Sequence, residues 1–343
     1  MKILVLSLLR IGDIAMSAGV DLMLNSQCAQ IAPLLPSVDR FLYFDRQGLQ
    51  KGLGDPTVPF FESYEKLNEL LEVVGQETYD LSINLTQNRL SGWLMGLIDS
   101  KQRVGLSLDA SGAATFNSNW FRYLNTQIDL DSSEVFHFND IFRFALGLEN
   151  VKSVRPILQE TEAGAKEADA LSRGLKQIVC VQALTSDIKK DYPLPTFTAA
   201  LATFAVRHPE ATLMIMAAPF EQTRLQPVVD ALTNAGHKAV LAVTSFEGAY
   251  SLVKKAKLTI TLDTSIKHLA AAAGGRILEI CLGSSDPFRT GADRSGTVIV
   301  TSKEACAPCT HSKACHRESQ FCATRIPADA IALLASEIYS GRS

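Results

Sequence analysis

The chain has 343 residues, of which 47% are hydrophobic, enough for about two domains at roughly 150 residues each, with a buried core in both. Glycine and proline number 21 and 13, which excludes low-complexity and collagen-like chains. The formal net charge of −3 gives no global positive field to draw DNA or an anionic bilayer, so nucleic acid is not an expected partner and any anion must be held locally.

The first ten residues are apolar like the core of a secretion signal, but they lack a small-residue cleavage pattern, and Arg10 and Asp13 follow at once. They read as a buried first strand over residues 2–8, followed by a break at Gly12 and Asp13 and a helix over residues 14–24, whose apolar residues have helical spacing. Strands are then expected at residues 40–44, 79–85 and 103–106, with helices at 63–74 and 90–98 between them. Residues 120–144 mix aromatic and polar side chains without clean periodicity, and residues 151–163 carry a proline and end in acidic residues, as a connector does. A second α/β series follows. Its strands are expected at 177–182, 212–217, 238–243, 258–262 and 277–282, its helices at 194–208, 224–235 and 246–256, and a closing amphipathic helix at 329–339.

No run approaches the roughly 18 apolar residues of a membrane span; residues 269–282 are interrupted by Arg276 and Glu279. The expectation is a soluble, cytoplasmic protein with at most peripheral association with the inner membrane. Two Rossmann-like sheets facing each other would bind ligands in a cleft at the carboxyl ends of their strands. The expected domains are residues 1–160, residues 161–325 with a cysteine-rich loop at 306–322, and a terminal helix at 326–343.

Four segments can carry chemistry. In Arg10-Ile11-Gly12-Asp13, a carboxylate above a sheet edge can take a proton from a hydroxyl, and Gly12 lets another molecule approach the backbone; Asp13 can equally cap the following helix. In the segment from Thr185 through Ser186 and Lys190 to Pro193, hydroxyls, amides and ammonium groups gather at a strand end and can hold a phosphate, although Lys189 and Lys190 also read as solvated loop charges. It is not a P-loop, because the glycines are absent. In the segment from Asp263, Thr264 and Ser265 to His268 and the following alanines, a strand runs into a helix whose unpaired amides favour a diphosphate; a plain helix cap requires the same turn. Finally, Cys306, Cys309, Cys315 and Cys322, with His311 and His316 interleaved, can close a structural zinc or iron site, or be free thiols or disulfides.

These segments, in this order, resemble glycosyltransferase family 9, the ADP-heptose:lipopolysaccharide heptosyltransferases. The resemblance rests on Met1-Lys2-Ile3-Leu4-Val5 running into Ile11-Gly12-Asp13, Tyr79-Asp80-Leu81 with Asn84-Leu85, and Lys190-Asp191-Tyr192-Pro193. It rests further on Asp263-Thr264 with His268-Leu269-Ala270-Ala271-Ala272, Gly283 with Asp286-Pro287 and Thr290-Gly291, and the cysteine cluster. It implies a GT-B fold: an acceptor domain, a nucleotide-sugar domain, and a last helix crossing back to the first.

By that resemblance Asp13 is the general base of an inverting, single-displacement transfer, with Gly12 beside it. Lys190 holds the donor diphosphate with Thr185 and Ser186, while Asp263, Thr264, Ser265 and His268 line the sugar and phosphates. Glu221, just past a strand end, is a further candidate for the nucleoside. The implied donor is ADP-heptose, the acceptor a glycan, glycolipid or protein hydroxyl, and no organic cofactor is needed. Two positions depart from the family pattern: Ser265 stands for a glycine and Ala292 for a proline. They leave room for another nucleotide sugar or for a protein rather than a lipid acceptor; the alternative readings are a catalytically idle, metal-stabilised GT-B shell acting in binding or assembly, favoured by Ser265 and the cysteine loop, and a GT-B sugar-nucleotide epimerase.

Overall fold

Short apolar runs without alternation, such as Ile3-Leu4-Val5-Leu6 and Leu213-Met214-Ile215-Met216, suit strands covered on both faces, the situation of parallel sheets. The structure, a computed structural model, describes residues 1–8, 20–49, 55, 57, 59–126, 136–150, 158–292, 296–309, 315 and 317–341. The chain divides into two compact units, Met1–Gln159 and Glu160–Ser343.

In the first unit β1 (Ile3–Ser7), β2 (Val20–Asn25), β3 (Val38–Phe44), β4 (Tyr79–Asn84) and β5 (Ser100–Val104) form a parallel sheet in the order β3-β2-β1-β4-β5. The helices are α1 (Phe60–Gly75), α2 (Arg89–Leu97), α3 (Asn119–Thr126) and α4 (Phe138–Ala145), and an antiparallel hairpin pairs β6 (Leu106–Leu108) with β7 (Ala114–Phe116). Leu4, Leu6, Met23, Leu42, Phe44, Tyr79, Leu94 and Met95 form one apolar core. Helix α2 lies close on β6 through glycine, since a Cβ on Gly96 would come within 2.0 Å of the Leu108 carbonyl oxygen.

The helix expected over residues 14–24 is corrected in its described part. Val20–Asn25 is a strand, in register with β1 from Ile3↔Val20 to Ser7↔Leu24. All six of its residues are buried, and a continuously buried strand satisfies the i, i+3, i+4 test that also marks a helix. Asp21 is tolerated inside it because Arg40 Nη2 reaches its carboxylate at 2.7 Å and the Tyr79 hydroxyl at 2.8 Å.

In the second unit β8 (Ile178–Gln182), β9 (Thr212–Ala217), β10 (Ala239–Val243), β11 (Leu258–Leu262), β12 (Ile277–Ile280) and β13 (Thr297–Val300) form a parallel sheet in the order β10-β9-β8-β11-β12-β13. This is the doubly wound dinucleotide-binding order, which reverses direction between the first and fourth strands and binds ligands there. The helices are α5 (Glu162–Leu171), α6 (Leu194–Arg207), α7 (Gln222–Asn234), α8 (Phe246–Lys255), α9 (Ser265–Ala272), α10 (Pro287–Thr290), α11 (Phe321–Thr324) and α12 (Ala328–Ser340). The acidic end of the expected connector opens α5, where Thr161 accepts from the Gly164 amide at 3.0 Å.

Helix α12 packs on α6 of its own unit. Tyr339 meets the ring of Phe204 edge-on at 5.5 Å and that of His208 at 4.6 Å, and Arg276 donates to the Ile338 carbonyl at 2.9 Å. No helix among the described residues is long and apolar enough to cross a membrane.

Candidate functional site

The reversal point of the second sheet lies between β8 and β11, which are directly paired. Two chain segments leave their carboxyl ends, one carrying Thr185 to Lys190 and the other Asp263 to His268.

The segment after β8 is pinned from several sides. Thr185 Oγ1 lies 2.6 Å from the Asp187 carbonyl oxygen and 2.9 Å from Asp191 Oδ1, and its amide donates to Asp191 at 2.8 Å. Asp187 caps the single turn Ile188–Lys190 by accepting from the Lys189 amide at 3.1 Å. Tyr192 is buried, with its hydroxyl donating to the Ile326 carbonyl at 2.5 Å, and Gln320 donates to the Lys189 carbonyl at 2.6 Å. The Thr185 hydroxyl is therefore engaged in building the loop, Ser186 is exposed, and Lys190 is the cation the loop presents towards β11.

After β11, Thr264 takes extended backbone and caps α9, accepting from the Ile266 amide at 3.2 Å. Ser265 opens that helix and half-buried His268 follows in its next turn. Asp263, one residue before the cap, joins the two segments. Its Oδ2 accepts from Lys190 Nζ at 2.5 Å and from the Ser285 hydroxyl, and its Oδ1 accepts from Lys267 Nζ. Lys267 is fully buried and also donates to Glu279 on β12 at 2.7 Å. The other Glu279 oxygen accepts from the Ala292 amide at 3.2 Å.

Burial alone would push the Asp263 carboxyl up, but the ammonium groups of Lys267 and Lys190 outweigh it and hold it well below the usual carboxylate range. Burial disfavours the Lys267 charge, yet Glu279 and Asp263 together raise its affinity for a proton. Burial raises Glu279, with Lys267 opposing in part. Cys281, buried beside this group, is pushed up to about 12, first by burial and then by the two carboxylates, so its thiol is not a nucleophile at neutral pH.

Lys190, Asp263, Thr264, Ser265 and His268 are thus on two segments meeting at one reversal point, joined directly by the Lys190–Asp263 ion pair. Such a place offers an ammonium group and helix-end amides to an anion. Glu221 follows β9, and its carboxylate accepts from the Ala218 amide at 2.8 Å, closing the short turn Pro219–Glu221 that leads into α7. Gly12 and Asp13 lie outside the described residues. Sequence reasoning missed Lys267 and Glu279; the available signal was a lysine between Ile266 and the apolar stretch from Leu269 to Ala273, and a carboxylate inside the apolar strand Ile277–Ile280.

The four-thiolate metal site is not supported by the described residues. Among the described residues, which include Cys306, Cys309, Cys315 and Cys322, no group of three cysteine, histidine, aspartate or glutamate side chains could hold an ion. Cys322 is carried by α11 onto the apolar core of the unit, Cys309 is tied through its amide to the Gly283 carbonyl at 2.5 Å, and all four thiols are free. As placed, these donors do not fit a tetrahedral centre.

The profile of glycosyltransferase family 9 (heptosyltransferase) matches residues 68–319. Among solved structures, the glycosyl transferase family 9 protein of Veillonella parvula DSM 2008 is similar with a TM-score of 0.72 at 16% identity, over 100% of this chain and 98% of that one. The ADP-heptose LPS heptosyltransferase II of E. coli is similar at 0.66 and 14%, over 100% and 99%. E. coli heptosyltransferase WaaC with ADP-2-deoxy-2-fluoro heptose is similar at 0.65 and 14%, over 98% and 99%. No curated protein sequence matches the chain. These likenesses show the two-domain α/β GT-B fold, and the profile, which spans most of the chain, shows that the protein belongs to glycosyltransferase family 9 and is a glycosyltransferase.

Proposed function

We propose that the protein transfers a heptose, or a closely related sugar, from an ADP-activated donor to a hydroxyl of a lipopolysaccharide core or of another glycan or protein acceptor, with inversion at the anomeric carbon. The observation that carries this reading is the Lys190–Asp263 pair at the reversal point of the second sheet, beside the capped start of α9. Family membership and the ADP-heptose named for E. coli heptosyltransferase II support the donor.

In this reading Asp13 accepts the proton of the acceptor hydroxyl. The acceptor oxygen bonds to the anomeric carbon as the bond from that carbon to the diphosphate breaks, and the electron pair leaves with the diphosphate. Lys190 and the amides at the start of α9 meet the growing charge of the leaving group. Groups held ready in this way typically contribute about 3 kcal/mol each to lowering a barrier. Ser265 and His268 line the sugar and phosphates, Ser186 lies at the rim, and Glu221 faces the nucleoside with the carboxylate oxygen not used in its cap. Thr185 contributes by shaping the lysine loop. The free state of all seven cysteines fits the reducing cytoplasm, where a glycolipid acceptor would bring the enzyme to the inner face of the membrane.

The test is turnover of ADP-heptose with a panel of core oligosaccharide and protein acceptors, followed by mass spectrometry. Asp13→Asn should abolish transfer and leave ADP binding intact, while Lys190→Met should weaken ADP binding. Normal turnover in the Asp13 variant removes the mechanism.

A further inference from the structure

Lys267 is the only lysine among the described residues that is fully buried, and no role for it follows from the transfer reaction itself. A buried ammonium is costly unless it is paired. Here it has two carboxylate partners, Asp263 four residues before it and Glu279 on the neighbouring strand β12. Asp263 in turn faces Lys190, whose side chain keeps 27% of its exposure while that of Asp263 keeps 10%. The charges therefore run in a line from the core towards the surface: Glu279, Lys267, Asp263, Lys190.

The order has an electrostatic consequence. A carboxylate shared by two ammonium groups neutralises neither completely. If Asp263 faced Lys190 alone, the two charges would cancel and little positive field would remain for an incoming phosphate. With Lys267 drawing on Oδ1, Lys190 is attached through Oδ2 only and shares that oxygen with Ser285. Glu279 supplies the countercharge that lets Lys267 remain ionised at full burial.

We infer that Lys267, backed by Glu279, is a positioning residue for the donor site: it holds one oxygen of Asp263 so that the Lys190 ammonium stays oriented and only partly neutralised, free to bind the diphosphate of a nucleotide sugar. This rests on the reading of Lys190 as a donor-binding residue. It assigns Lys267 no contact with substrate.

Lys267→Met alone leaves the Glu279 carboxylate buried without a countercharge and is a poor test, because it destabilises the protein for an unrelated reason. The informative variant is Lys267→Met with Glu279→Leu. Replacing a buried ion pair by apolar side chains of similar volume commonly leaves stability unchanged or improves it. The double variant should unfold at the wild-type temperature or above. In isothermal titration calorimetry with ADP as the probe, its Kd should nevertheless rise at least tenfold, and the donor KM should rise with it. A purely structural pair would leave both binding constants unchanged.

Lys190→Met, measured in parallel, separates the two levels of the argument. If Lys190→Met binds ADP like the wild type, both the donor-site reading and the role of Lys267 fall. If Lys190→Met has lost ADP while the double variant binds it within twofold of the wild type, only the role of Lys267 falls. Loss of cooperative unfolding in the double variant also overturns the inference, since it would assign the pair to the fold.

Discussion

Asp263→Asn removes one negative charge and changes almost nothing else in shape, so its effect can be worked from the contacts. The carboxylate is flanked by Lys267, fully buried, and by Lys190, which is partly solvated. Breaking a buried ion pair by removing one partner costs about 3 to 5 kcal/mol, mostly because the other charge is stranded. Here Lys267 keeps Glu279 at 2.7 Å, and Lys190 can recover water, which places the loss near the low end, at about 3 kcal/mol. For a unit of this size that corresponds to a fall in Tm of roughly 6 to 12 °C.

The pH dependence supplies the sign. The folded-state proton affinity of Asp263 is depressed below that of the unfolded chain, where an aspartate titrates near ~3.9. Its stabilising contribution is then fully present above that pH and is lost as the pH falls through the lower, folded value. Calorimetric unfolding of both proteins from about pH 3 to 8 should show a gap that is flat above roughly pH 5 and begins to narrow as the pH falls towards about 3. Equal Tm values at pH 7, or a gap that opens only as the pH rises above neutrality, would refute the assignment of Asp263 as a buried anion between two lysines.

Two further substitutions test the scaffold around the sites. Tyr192→Phe strands the Ile326 carbonyl that the phenol now satisfies at 2.5 Å; a loss of about 1 to 3 kcal/mol is expected in urea unfolding, with a weaker grip on ADP because the lysine loop is loosened. Gly96→Ala forces a methyl group into the Leu108 carbonyl oxygen, so α2 must move off β6; about 1 to 3 kcal/mol should be lost, read by thermal unfolding, and a variant as stable as the wild type would show that the helix does not lie where it is described.

The second unit was legible in the sequence because its strands and helices are separated by clear breaks. Thr212–Ala217 and Leu258–Leu262 have the bounds their apolar runs suggest, and Ser245 marks the start of α8 by accepting from the Gly248 amide at 3.0 Å. The first unit was harder to read. Val20–Asn25 carries an aspartate among apolar residues, and only the later Arg40 and Tyr79 make that charge compatible with a strand. On α3 the adjacent Trp120 and Phe121 both meet rings of α4, Phe144 at 4.8 Å and Phe142 at 5.9 Å, so consecutive aromatic positions pack together and blur the period there.

Within the site, Lys190, Asp263 and Thr264 were recognisable from their places at strand ends. The Lys267–Glu279 pair was not, since each residue looks like an isolated charge until β11 and β12 lie side by side. The cysteine cluster is the opposite case. Close spacing in sequence suggests convergence, but Cys322 is carried by its helix into apolar packing.

The order of the second sheet has a consequence for biogenesis. Lys190 and Asp263 follow neighbouring strands but are 73 positions apart along the chain, so the site proposed for the donor diphosphate does not exist in any partially synthesised or half-collapsed species. Closing so long a segment is entropically slow. A nucleotide can then act as a ligand chaperone only for the completed architecture: it should retard unfolding and protect mature enzyme from proteases in proportion to occupancy, yet give no help to refolding intermediates that have not joined these two strands.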